Sequence, residues 1–162
     1  MKNRAITIVF SLLAFVSTYA QLGDELNEEY PEAKKEVKQA LDEIEQSIRD
    51  NDMDKLISFH AYGPKFTEFK PGEMRTGSKE NEEFERGFLG SITEIEKWEL
   101  EDLKINVYGG DVAAVTFHSD FKFKTGEDPH HFQTQGMLLF IKTKDGWKIT
   151  HEHLAPLSET TP

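Results

Sequence analysis

The sequence predicts an α+β domain: three helices come first and pack on one face of a curved antiparallel sheet. Two observations carry this. Apolar residues recur at three- and four-residue spacing from Ala33 to Leu89, then at two-residue spacing from Trp98 to Leu154. Turn sequences at Gly109-Gly110-Asp111, Gly126-Glu127-Asp128-Pro129 and Lys144-Asp145-Gly146 cut the second half into hairpins. Helices and strands that separate along the chain in this way bury their apolar faces against each other in two layers.

The elements follow in order. Pro31 suits a first helical turn. After it Ala33, Val37, Ala40, Leu41, Ile44 and Ile48 form the stripe of an amphipathic helix of about five turns. Glu32, Lys35, Glu36, Lys38, Asp42 and Glu45 fill its other face, read as solvated. Asp50-Asn51-Asp52 breaks the pattern and offers a cap for a short second helix, with Met53, Leu56 and Ile57 inward. Lys65 to Lys70 alternates as a first strand, and Pro71-Gly72 turns the chain. Ser78 is placed to cap a third helix with Glu80 in its first turn and Phe84, Phe88 and Leu89 on one side. Trp98, Leu100, Leu103, Ile105 and Val107 belong to one strand or a bulged one. Further strands are expected over Val112–Lys124, Phe132–Thr143 and Trp147–Leu154.

The chain has 162 residues, about one domain's length. Lys2 and Arg4 precede the apolar run Ala5–Val16, and Thr18 and Ala20 are small enough for a signal peptidase. The run is too short to span a bilayer. Residues 1–20 therefore read as a signal peptide cleaved near Ala20, which places the product outside the cytoplasm, secreted or periplasmic. Residues 21–30 read as a flexible leader, 31–157 as the domain and 158–162 as a disordered tail.

Loss of Lys2 and Arg4 takes the net charge from −11 to −13. So acidic a surface repels nucleic acid and anionic lipid, and neither is an expected partner. With no cysteine, disulfides, thiol catalysis and thiolate metal sites are excluded. The chain has no Gly-rich phosphate loop, and no cofactor is expected.

Two stretches carry a resemblance. The first runs from Ile44 through Asp50-Asn51-Asp52-Met53-Asp54-Lys55-Leu56 and a strand to Arg75-Thr76-Gly77 and the helix with Phe84. The second joins Gly109-Gly110-Asp111-Val112-Ala113 to the ending Asp145-Gly146-Trp147-Lys148-Ile149-Thr150-His151-Glu152-His153-Leu154. Across residues 31–157 the chain resembles the SnoaL-like branch of the cone-shaped fold shared with ketosteroid isomerases and nuclear transport factors. Matching Arg75-Thr76-Gly77 to the isomerases puts Glu68 on their catalytic aspartate. Their oxyanion-hole tyrosine falls on Ile44, which donates no hydrogen bond, so the resemblance does not extend to steroid isomerisation. It does imply a pocket between helices and sheet and, in many relatives, a homodimer through the open sheet face. The scaffold also serves dehydratases, hydroxylating and cyclising enzymes and plain binding modules, so the site must decide.

His151 and His153 are two apart in a strand, so their side chains share a face. Trp147 and Ile149 mark that face as buried, which points both imidazoles to a pocket where they could exchange protons near neutral pH. His118 pairs with Asp120 in the same manner, but the opposite face holds Val115, Phe117, Phe121 and Phe123 and is the simpler core. Glu68 shares a face with Phe66, and burial would raise its pKa toward that of a working base. Tyr62, Phe66, Phe69, Trp98, Phe121 and Phe132 are candidates for an aromatic lining. Two histidines without a third ligand at fixed spacing do not define coordination, and no metal is expected.

The leading expectation is an exported lyase or isomerase acting on a small molecule, most naturally a dehydratase. Glu68 or His151 would be the base and His153 or His118 the acid. Location alone suggests a sugar derivative from polysaccharide breakdown. The rival is a non-catalytic ligand-binding or dimerisation module. Catalysis needs two titratable groups converging on one point of the pocket, whereas binding does not.

Overall fold

The computed structural model describes residues 26–70 and 72–157. The signal segment and the tail 158–162 lie outside the described residues. Helix α1 (Pro31–Arg49) and helix α2 (Met53–Ser58) lead to strand β1 (Thr67–Phe69) and helix α3 (Ser78–Gly87). A single 3-10 turn, Leu89–Ser91, then enters four long strands: β2 (Ile92–Tyr108), β3 (Val112–Thr125), β4 (Asp128–Thr143) and β5 (Gly146–Pro156). The sheet order is β1-β5-β4-β3-β2. Strands β2 to β5 form the expected antiparallel meander, and β1 joins its edge parallel to β5, with Glu68 opposite Glu152.

The first helix forms for the reasons its sequence gives. Pro31 occupies the first turn, and Ala33, Val37, Ala40, Leu41 and Ile48 are buried. They meet Val107, Ala113, Val115, Phe117, Phe140 and Ile149 on the concave face of the sheet. The Asp52 side chain caps α2 by accepting from the Lys55 N–H at 3.0 Å. Two solvated-face or leader residues prove structural. Glu36 accepts from the Trp147 indole N–H at 2.8 Å and from Lys142, which ties α1 to β4 and β5. Tyr30, at the end of the leader, packs against the core.

Helix α3 differs from expectation. Ser78 is its first residue rather than its cap: the hydroxyl accepts from Gly63 N–H and donates to Gly63 C=O. The Gly77 N–H is taken by Glu80. The buried residues of α3 are Asn81 and Glu85, four apart and polar, while Phe84 is partly exposed.

The sheet curls through bulges. The β2–β3 register shifts at three places, one of them at Asp102 with φ 47°. A fourth shift decides the site: Phe140 pairs with Ile149 but Leu139 pairs with His151, so Thr150 is an extra residue in β5. The inward alternation Trp147, Ile149 passes after the bulge to Glu152 and Leu154.

Candidate active site

The bulge corrects the leading sequence expectation. His151, His153 and His118 do not enter the pocket; all three belong to the outer face of the sheet. His153 and His118 are exposed, and His151 Nδ1 lies 2.8 Å from Thr67 Oγ1 on that outer side. Phe69 follows them outward, with its ring centre 5.6 Å from that of His153. His130 and His131 lie in β4, where His131 meets Asp120 at 2.7 Å.

What the bulge carries inward is Glu152. Its Oε1 lies 2.9 Å from His60 Nε2, and its Oε2 accepts from Asn81 Nδ2 at 3.4 Å. Asn81 in turn accepts from the Tyr62 hydroxyl. Tyr62 stacks on His60 with centroids 5.0 Å apart. Glu85 completes the cluster from α3, with Oε1 3.6 Å from His60 Nε2. Glu85 Oε2 is buried and has no hydrogen-bond partner among the described residues.

The charges of these groups are set by burial and by one another. Burial removes water from Glu85, and the neighbouring charges of Glu152 and Glu68 add to that, so its carboxyl rises well above the usual carboxylate range. Burial disfavours charge on His60. The hydrogen bond that His60 donates to Glu152 and the charges of Glu152 and Glu85 outweigh it, and the pKa rises to about 8. Burial likewise pushes the Tyr62 phenol up, so it stays a hydrogen-bond donor. The donor set of His60, Glu85 and Glu152, with ligand atoms within 4.8 Å of one another, is also of a kind that divalent ions accept.

Glu68 is buried as its alternation with Phe66 predicted. Thr76 donates to Glu68 Oε2 at 3.1 Å, and Lys70 Nζ lies 3.1 Å from the same atom and 3.7 Å above the Phe84 ring centre.

Glu68, Lys70, Glu85 and Glu152 all line one chamber of about 360 Å³ between α3 and the sheet. Its walls are aromatic: Phe84, Phe88, Trp98, Phe121, Phe123 and Phe132. Trp98 and Phe121 stack with centroids 4.0 Å apart, as a lining of the kind expected. Phe66 and Tyr62 do not line it. Phe66 is core, and Tyr62 stands behind His60 and Asn81. The chamber therefore brings one predicted acid–base residue, Glu68, together with two that sequence reasoning missed, Glu85 and Glu152, and His60, also missed, contacts both of these without lining the chamber.

A SnoaL-like domain model matches residues 37–158. The chain belongs to the SnoaL-like family. No curated protein matches the sequence. Among solved structures, this SnoaL-like chain is similar to a candidate dehydratase of the nuclear-transport-factor-2-like family from Streptomyces avermitilis. That match has 21% identity and a TM-score of 0.67, and covers 76% of this chain and 95% of that one. A nuclear-transport-factor-2-like protein from Salmonella enterica shares 20% identity at a TM-score of 0.65, covering 82% of this chain and 96% of that one. A candidate aromatic ring hydroxylase from Novosphingobium aromaticivorans shares 14% identity at the same TM-score of 0.65, covering 78% and 90%. At these identities the likeness shows the cone fold.

Proposed function

We propose that this SnoaL-like protein is a lyase or isomerase that moves protons on a ring-bearing small molecule, with dehydration its reaction. One observation carries the reading. Glu85, a buried carboxyl with an unpartnered oxygen, opens on the same chamber as Glu68, whose carboxylate is held by Lys70 and Thr76. Two carboxyl groups in unlike surroundings divide into an acid and a base.

Glu68 is the base. Lys70 and Thr76 fix its Oε2, and in the proposed reaction it takes a proton from carbon next to an activating carbonyl. Glu85 is the acid. Its proton goes to the departing hydroxyl, which leaves as water, while the electrons of the broken C–H bond form the new double bond. His60 and Glu152 hold Glu85 in place and share charge with it. The aromatic walls favour a ring compound of limited polarity over the sugar derivative that location alone suggested. Export, with cleavage near Ala20, remains part of the proposal and is checked by N-terminal sequencing of the secreted product.

The test is incubation with ring-bearing β-hydroxy carbonyl compounds, read by mass spectrometry. A product lighter by one water, formed by the wild type and lost in Glu68→Gln and Glu85→Gln, supports the reading. Equal turnover by both variants removes the two carboxyls from the mechanism, and no mass or isomer change with any compound moves the protein to the binding class.

A further inference from the structure

The cavity does not end at the carboxyl groups. A second chamber of about 140 Å³ lies between α1 and the sheet. The two chambers share Glu85, Leu89, Trp98, Phe121, Glu152 and Leu154, so the carboxyls form a waist between them. Beyond the waist most of the lining is apolar, with Leu41, Ile48, Leu56, Phe117, Leu138 and Ile149 among its walls, and Glu45 and His60 are the polar exceptions.

A hollow of this kind in a core is costly. Side chains lining it lose dispersion partners, and protein interiors otherwise close such gaps. Its polar groups lie on one side, at Glu85, Glu152, His60 and Glu45, and over the rest of the wall water would find no partner. An apolar hollow of roughly 150 Å³ is known to take up benzene. The inner chamber has about that size, and most of its wall has that chemistry.

We infer that the ligand of this cavity is a three-part molecule. An aromatic or alicyclic ring lies between the rings of the outer chamber. A polar, reacting centre stands at the Glu85–Glu152 waist. An apolar group of about six carbons fills the inner chamber. This rests on the reading that the cavity is the working site and adds the substrate class: a ring compound with a short apolar substituent beyond its oxygenated carbon. The inner chamber sets the length of that substituent.

Alkyl aryl ketones from acetophenone to decanophenone test this by isothermal titration calorimetry on the purified protein. The carbonyl accepts a hydrogen bond at the waist, and the alkyl chain grows into the inner chamber. Each added methylene is expected to tighten binding roughly fourfold until the chamber is full near heptanophenone, and to give no gain after that. Leu138→Phe fills the chamber. Ile44→Phe, at a half-buried position on α1 that borders the same chamber, does so with less disturbance of the core. Either variant should bind acetophenone as the wild type does and lose the chain-length gain. Equal affinity along the whole series, gain that continues to decanophenone, gain that survives both fillings, or no binding of any member overturns the inference. Binding is read here without turnover. Loss of the chain-length pattern with acetophenone still bound therefore bears on the inner chamber alone, no binding of any member bears on the ring site and waist as well, and failure of the Glu68 and Glu85 variants to lose activity bears on proton transfer alone.

Discussion

Glu152 Oε1 lies 2.9 Å from His60 Nε2, and both residues are buried. The pair joins β5 to the segment after α2, where Ala61 N–H donates to Ile149 C=O at 2.7 Å. Removing one partner leaves the other as an uncompensated charge in the interior, which is worse than losing both. His60→Ala should therefore destabilise the protein by about 3–5 kcal/mol in urea unfolding. The double variant His60→Ala, Glu152→Leu should recover part of that loss. A single variant of near wild-type stability would mean that the pair is not desolvated.

Stability should fall as pH rises through neutrality. His60 has its pKa raised from 6.5 to about 8 on folding. Its contribution is full below pH 6.5 and is lost as pH climbs to about 8. Glu85 is raised from 4.5 and has the same sign: the unfolded carboxyl ionises above pH 4.5 while the buried one resists. The two losses add. The melting temperature should drop by on the order of 5 °C between pH 6.5 and 8.5. Glu85→Gln, which cannot ionise, should show a shallower fall. A melting temperature that rises over this range would contradict the charge assignment.

The outer-face histidines provide the opposite expectation. His118 and His153 are exposed on the convex side of the sheet, away from Glu68 and Glu85. His118→Ala and His153→Ala should each change stability by no more than about 0.5 kcal/mol and leave turnover within twofold of wild type. A large loss of activity in either would return these imidazoles to the mechanism and displace Glu85.

These contrasts show where the sequence was legible. The period change from helix to strand, the Asp52 cap and the hairpin turns were all visible, because each depends on local backbone preference. Glu68 was visible too, since β1 alternates regularly from Phe66. His151 and His153 were misplaced because a bulge at Thr150 has no compositional mark: threonine is an ordinary strand residue, yet one extra residue turns every later side chain of the strand over. Asn81 and Glu85 were hidden for another reason. Polar residues four apart on a helix read as a solvated face, and only tertiary contacts with Tyr62, His60 and Glu152 make that face an interior one. His60 carried a faint signal, an imidazole between apolar Phe59 and Ala61 just after a helix, but its partners lie too far along the chain to be paired by spacing.

Gly136 gives a test of how tightly the inner chamber is walled. It stands in β4 opposite Phe117 on β3 and Leu154 on β5. A Cβ there would lie 2.7 Å from Leu154 Cδ2 and 2.8 Å from Phe117 Cζ. Both neighbours border the inner chamber, so they can yield only by turning into it or by shifting the strands. Gly136→Ala should cost about 1–3 kcal/mol, the usual range for overpacking. Gly87→Ala is the matched control: nothing lies within 4 Å of its added methyl, and it ends a helix, where alanine is the better residue by up to about 1 kcal/mol. The two substitutions add the same group and should move the urea midpoint in opposite directions. If Gly136→Ala is as stable as Gly87→Ala, the chamber walls yield freely, and the chain-length limit of the ligand should then be soft as well.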